Sequence, residues 1–359
     1  MKVCIIGGGN GGQALAGVLA LRGFDVSLYN RSEQRIERII KTKKIELQGS
    51  ISGITYISFA TTDLREAISG RQLLLVVLPA FAHREIALKL APYLEDGQII
   101  ILNPGRTAGA LEFYTALKQF GVDKDITVAE AQTFLFASRI TGPGVVKIFG
   151  VKNAVPVAAL PAQKNTILKD AIEKVLPEFR IVPNTLHTSF ANIGAVFHPA
   201  SVLLNAGWIE STSGDFEFYT NGISPSVAKV LQAIDDERCA VAKSFGLETM
   251  SALEWLKYAY SVEGEDLYEA LQLNKAYKGI KAPSSIDNRY ILEDVPMSLV
   301  PISEFGKVTG VRTPTIDTII SLASVMLGRD FRKEGRTLEK LGLLGKSPEE
   351  VKRIMEVGI

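Results

Sequence analysis

Along the first half of the chain, short apolar runs alternate with stretches of helical periodicity. The runs Val3–Ile6, Val26–Tyr29, Leu73–Leu78, Ile99–Leu102 and Ile126–Ala129 read as buried strands. Helices are expected between them, including Arg84–Tyr93 and Ala108–Phe120. Such alternation implies a parallel sheet wound on both faces by helices. Two segments read as antiparallel additions. Ile45–Phe59 carries Gly49 and Gly53 between β-rich runs, and Phe134–Val157 has Thr141-Gly-Pro-Gly144 between β-branched stretches, as a hairpin would. Near Val182-Pro183-Asn184 the texture changes. Helical patterns then dominate, at Thr188–Glu210, Pro225–Phe245, Ala252–Tyr260, Thr315–Leu327 and Pro348–Val357. The expected organisation is an α/β domain over residues 1–183 and an all-α domain over 184–359.

The first strand runs straight into Gly7-Gly-Gly9-Asn-Gly-Gly12, and a helix rich in small residues follows. This is a Gly-x-Gly-x-x-Gly turn in strand–turn–helix context, the fingerprint of a Rossmann-like, doubly wound dinucleotide-binding domain. Gly7 permits the tight turn, and Gly9 carries no Cβ to hold the backbone away from a pyrophosphate. Gly12 lets the helix press on its strand. Asn10 and Gly11 complete the loop, and the helix N-terminus presents unpaired N–H groups to the phosphates. A glycine-rich turn without a ligand is the bland alternative.

Composition narrows the class. At 359 residues the chain has room for two domains, and 47% hydrophobic with 22% charged residues describes an ordinary globular enzyme. Forty basic residues against 39 acidic give a net charge of +1, which argues against nucleic acid or an anionic membrane as the main partner. The apolar run Leu73–Ala82 is too short to span a bilayer, and the glycines break any signal-peptide core. Cys4 and Cys239 form no metal pattern, so no metal site is expected, and Cys4 reads as a buried thiol in the first strand. A reducing cytoplasm fits best.

The cofactor is read from the end of the second strand, where an acidic residue would accept from a ribose 2′-OH and repel a 2′-phosphate. Here the strand ends in Tyr29-Asn30-Arg31-Ser32. Asn30 replaces the carboxylate, and Arg31 with Ser32 suits a phosphate dianion. NADP(H) is therefore favoured over NAD(H). Against this, Arg31 also reads as a solvated helix-entry residue and Ser32 as an N-cap. The loops Leu78-Pro79-Ala80-Phe81-Ala82-His83 and Asn103-Pro104-Gly105-Arg106 follow parallel strands, where ligands bind in open α/β sheets. Pro79, Ala80, His83 and Asn103 are candidates to pack beside the nicotinamide and its ribose; mere turns are the alternative.

Only three histidines are present, His83, His187 and His198. His198, in Asn192-Ile-Gly-Ala-Val-Phe-His198-Pro199, opens the helical domain. A second domain must bring an acid–base group to the nicotinamide across a cleft, and imidazole titrates near neutrality. Further on, Asp287-Asn-Arg289-Tyr-Ile-Leu-Glu293-Asp294-Val-Pro296 reads as a rigid, extended loop positioning charge, with an ordinary salt-bridged loop as the alternative. Arg139 is a weaker anion contact, and a sheet-edge salt bridge explains it equally well. Trp208 and Tyr277 read as helical-core residues that could instead line an apolar pocket.

Taken together, Gly7–Gly12, Pro79-Ala-x-Ala-His83, Asn192…His198-Pro199, Arg289-Tyr-x-x-Glu-Asp294-Val-Pro and Gly310-Val-x-Thr-Pro314 resemble the opine dehydrogenase (octopine/nopaline dehydrogenase) family, in the same order along nearly the whole chain. The resemblance implies NAD(P)H-dependent reductive condensation of an amino acid with a 2-oxo acid through an imine. It implies that His198 is the general acid/base, that Asp294 pairs with it, and that Arg289 belongs to the same site. The substrates would be small molecules, and a homodimer through the helical domain is left open. Rival readings are a ketopantoate reductase-like or glycerol-3-phosphate dehydrogenase-like enzyme, or a non-catalytic NADP(H) sensor. The two rival enzyme types use a lysine as the principal acid, and Thr188–Trp208 contains none.

Overall fold

The computed structural model describes residues 1–359. Two compact units emerge: Met1–Thr188 together with Arg353–Ile359, and Ser189–Lys352. No helix is long and apolar enough to cross a membrane.

The first unit is built on an eight-stranded sheet. In chain order its strands are β1 (Lys2–Ile6), β2 (Asp25–Tyr29), β5 (Phe59–Thr61), β6 (Leu73–Val76), β7 (Ile99–Leu102), β8 (Thr127–Ala131), β11 (Val155–Leu160) and β12 (Phe179–Ile181). Across the sheet the order is β12-β11-β8-β7-β6-β1-β2-β5, parallel throughout except for the β11–β8 pair. The central strands β1, β6 and β7 are almost entirely buried, which is why they read as unbroken apolar runs. A second, four-stranded sheet takes the order β4-β3-β10-β9, from β3 (Lys44–Gly49), β4 (Gly53–Tyr56), β9 (Phe136–Gly142) and β10 (Val145–Val151). The two expected antiparallel hairpins are thus present, and β3 and β10 join them side by side in parallel.

The glycine-initiated helix Asn10–Leu21 is packed between the two sheets, buried from Gly12 to Leu19. Its small residues face both ways. A Cβ on Gly12 would lie 1.6 Å from Gly7 O, and one on Gly17 would press on Leu47 and Ile45 of β3.

Several elements differ from expectation. The strands β5, β11 and β12 were not anticipated, because β5 and β12 are three residues long and β11 directly follows a hairpin. Leu73–Leu78 leaves the sheet after Val76, where the carbonyl of Val77 turns to within 2.4 Å of the place a Gly7 Cβ would occupy.

The second unit is helical. Thr188–Glu210 is not one helix. It is broken into Thr185–Phe190, Gly194–Leu204 and Ala206–Thr212. Asn205 makes the second break, its amide donating to Ser201 O and Gly222 O, both at 2.8 Å. The long helix Pro225–Ser244 is capped by the Ser224 hydroxyl and carries a fully buried Asp235–Arg238 pair. Arg238 bonds Phe190 O and Met250 O, and Asp235 accepts from Ala252 N. That pair ties the neighbouring chain segments to the helix.

The extended loop expected around Arg289 is helical instead: a single turn Arg289–Leu292, a π-helical stretch Val295–Leu299 and the helix Val300–Thr309. Pro296 and Pro301 stand in the first turns of the π-helical stretch and of the helix that follows it.

Candidate active site

In the first unit the glycine loop has the shape a dinucleotide requires. Gly7 adopts φ +119° and its N–H donates to Tyr29 O at 2.8 Å. Gly9 precedes the helix without any side-chain cap, so the first-turn N–H groups are not claimed by the protein. A Cβ on Gly9 would meet only the Arg35 guanidinium, at 3.9 Å. Around the loop, Gly8 N donates to Asn30 Oδ1 at 2.9 Å, while the Asn30 amide donates to Ser32 O at 2.7 Å. Gln13 Nε2 donates to Gly8 O at 2.9 Å. Asn10 Oδ1 accepts from Ile140 N at 2.9 Å, fastening the loop to β9. Gly11 lies under Phe134, whose ring is 2.7 Å from where a Cβ would stand. These residues fit a dinucleotide: an uncapped helix start, an open glycine face and a guanidinium beside it.

Arg31 and Ser32 are exposed, and Ser32 stands at the cap position of the short turn Glu33–Arg35 without a side-chain capping bond. The Lys89 ammonium holds the Glu85 carboxyl below its usual range, and Arg31 adds a smaller pull in the same direction. After β6, Pro79 is exposed whereas Ala80 and His83 are buried. After β7, Asn103 is buried, its Nδ2 donating to Ile101 O, and its Oδ1 has no partner in the protein. An orphaned buried acceptor at the carboxyl end of a central strand suits a bound polar group. Cys4 is buried as expected, and burial pushes its thiol up to about 12.

In the second unit, the structure brings His198 and Asp294 together across 96 residues. His198 rides on the helix Gly194–Leu204, and its Nδ1 is 2.7 Å from Asp294 Oδ2. Asp294 is 1% exposed and the imidazole 19% exposed. With Nδ1 facing the carboxylate, Nε2 is the nitrogen left for a substrate. A parallel tie reinforces the pairing: Asn192 Nδ2 donates to Ser298 Oγ at 2.8 Å, linking the same two stretches of chain. Tyr290 stacks on the imidazole, ring centroids 4.1 Å apart and 18° between planes. Burial, followed by the nearby Asp294, pushes the Tyr290 hydroxyl up.

Arg289, the residue before Tyr290, is exposed, and its Nε meets the buried Glu293 carboxylate at 2.5 Å. That contact uses the inner edge of the guanidinium and leaves the terminal fork directed away from Glu293. Arg139 forms no salt bridge. It lies on β9 opposite Lys147, so the sheet-edge ion pair is not there. Trp208 is not a core residue either: it is 43% exposed and lies flat on Phe216, whereas Tyr277 is buried. Gln13, Arg35 and Ser298 were not anticipated from the sequence, whereas Tyr290 and Glu293 lay in the Arg289-to-Asp294 run without a role of their own.

A dinucleotide loop and a histidine–carboxylate dyad on a helical unit define a class, the NAD(P)-dependent oxidoreductases. Comparison with known proteins sharpens this. Residues 181–327 match the family described as NAD/NADP octopine/nopaline dehydrogenase, alpha-helical domain, and residues 2–115 match the NAD-dependent glycerol-3-phosphate dehydrogenase N-terminus. The opine dehydrogenase of Arthrobacter sp. (strain 1C) is 42% identical, with 98% of each chain covered. Octopine dehydrogenase of Mizuhopecten yessoensis is 26% identical over 93% of this chain and 92% of its own. The chain belongs to the opine dehydrogenase family.

Solved structures share the fold. Octopine dehydrogenase with NADH and L-arginine superposes with a TM-score of 0.82 at 23% identity, covering 98% of this chain and 97% of that one. Yersinopine dehydrogenase with NADP+ gives 0.74 at 16% identity, covering 99% and 98%.

Proposed function

We propose that this protein reductively condenses an α-amino acid with a 2-oxo acid, and that residues 1–183 hold the dinucleotide while 184–359 supply the proton chemistry. The observation that carries the reading is the 2.7 Å His198–Asp294 contact with Nε2 left free. Octopine dehydrogenase has been solved with NADH and L-arginine and with NADH and pyruvate, which supports an amine and an oxo acid as the two substrates.

The amine adds to the oxo-acid carbonyl to form a carbinolamine, and loss of water gives an imine. His198 Nε2–H donates its proton to the departing hydroxyl, and the neutral imidazole then takes a proton from solvent. Asp294 accepts from Nδ1–H throughout. It holds the ring in the productive tautomer and stabilises the cation, assistance of about 10²–10⁴-fold in such pairs. Arg289 offers its free fork to a substrate carboxylate, as a bidentate anchor. When bound, the reduced nicotinamide supplies a hydride to the imine carbon. One amine, one oxo acid, one reduced cofactor and one proton become one secondary amine, water and the oxidised cofactor.

For the cofactor we propose NADP(H), from the exposed Arg31 and Ser32 and the absence of a carboxylate at Asn30. His198→Ala is expected to lower turnover by about a hundredfold or more while NAD(P)H binding persists. Near-normal turnover would sink the assignment.

A further inference from the structure

We propose that Tyr290 is a positioning residue of the dyad, its ring face holding the His198 imidazole in the plane that serves Asp294 and favouring the protonated ring. The proposal rests on the reading of His198 as proton donor.

The hydrogen bond from Nδ1 to Asp294 restrains one edge of the imidazole, and the ring can still rock about its Cβ–Cγ bond within the reach of that bond. Contact across the ring face removes that freedom. Tyr290 provides it at 4.1 Å and 18°, and is itself backed by the fully buried Phe218, at 5.3 Å and 27°. The Tyr290 backbone is pinned in turn, its N–H donating to Asn288 Oδ1 at 2.8 Å. Imidazole, phenol and phenyl therefore form a three-ring stack anchored in the core.

The stack also has an electrostatic sense. An aromatic face is the negative side of its quadrupole, and a cation against it is stabilised. The phenol stays neutral, because burial and the neighbouring Asp294 both oppose its ionisation. Other titratable groups near the ring pair are Arg289, which is paired with the buried Glu293, and Tyr219, whose hydroxyl burial keeps neutral. On the helices packed against Gly194–Leu204 the buried and half-buried charges are engaged elsewhere. Asp235 pairs with Arg238, Glu237 accepts from Thr315 N and Ile316 N, and Asp317 pairs with Arg332. Tyr290 and Asp294 are thus the groups in direct contact with the imidazole.

The test uses Tyr290→Phe and Tyr290→Leu in the full-length protein, with the pH profile of kcat in the reductive direction as readout. A general acid works while protonated, so activity falls as pH rises. Losing the aromatic face moves that fall to lower pH. Tyr290→Leu is expected to shift it downward by about half a pH unit and to cut kcat about 10- to 100-fold, with NAD(P)H affinity unchanged. Tyr290→Phe, which keeps the face, should restore the wild-type profile.

A second measurement does not depend on a leucine variant that folds. With three histidines in the chain, the ring Hε1 proton of His198 can be assigned by NMR using His198→Ala. In the wild-type protein it should be shifted upfield by the tyrosine ring current. An unshifted pH profile in Tyr290→Leu, or a wild-type His198 signal at an ordinary position, overturns the proposal. If His198→Ala keeps near-normal turnover, the parent reading of His198 fails instead, which separates the two failures.

Discussion

Replacing Asp294 with asparagine probes the dyad with little change of shape. The carboxylate sits 2.7 Å from His198 Nδ1 and is 1% exposed, so it acts on the imidazolium through protein more than through water. Charges about 4 Å apart interact by about 4 kcal/mol at an effective dielectric near 20. The imidazole is 19% exposed, so solvent screening reduces this, and about 2–4 kcal/mol of cation stabilisation is expected to disappear. That alone is about 30- to 1,000-fold in rate. The amide adds a second fault. It can donate to Nδ1 and hold the ring in the tautomer with its hydrogen on Nε2, which removes the base needed for amine oxidation in the reverse direction. Steady-state oxidation of NAD(P)H with saturating amine and oxo acid should show kcat lowered by about 30- to 1,000-fold, with cofactor affinity unchanged. A kcat within about threefold of wild type would refute the role given to Asp294.

Three further outcomes are expected. Gly12→Ala would place a methyl group 1.6 Å from Gly7 O, so NAD(P)H binding, followed by fluorescence titration, should be lost or weakened by at least about 100-fold; an unchanged Kd contradicts the packing argument. Arg31→Ala should weaken NADPH binding by about tenfold and leave NADH within about twofold, measured by the same titration, whereas equal effects on both would remove Arg31 from 2′-phosphate recognition. Arg289→Ala should raise KM for the oxo acid by about 10- to 100-fold, and Arg289→Lys should recover only part of it because an ammonium cannot form the planar fork; an unchanged KM in both variants would release Arg289 from the carboxylate role.

The glycine loop was legible because its constraint is local. A tight turn and a close helix approach require residues without Cβ at Gly7 and Gly12, whatever the rest of the chain does. His198 was legible as a residue type suited to the chemistry, and its partner came from the resemblance carried by the Arg289–Asp294 run. Tyr290 and the Asn192–Ser298 tie were not readable. Each depends on pairing elements about a hundred residues apart, and neither ring stacking nor a single amide–hydroxyl bond leaves a periodic trace. The Arg289–Pro301 segment misled in the opposite direction. It was read as an extended loop, yet its two prolines, Pro296 and Pro301, occupy first turns of helical segments. Trp208 misled too, since an aromatic on a helix reads as core unless something shows its face to be exposed, as it is here.

The most direct test of the central claim is a matrix of NADH or NADPH against several 2-oxo acids and the common amino acids, followed by loss of reduced-nicotinamide absorbance. Oxidation that requires both an oxo acid and an amine, with a secondary amine dicarboxylate as product, is the predicted result. Oxidation with an oxo acid alone would indicate a simple hydroxyacid dehydrogenase, and cofactor binding without turnover across the whole matrix would indicate a sensor; either result contradicts the account.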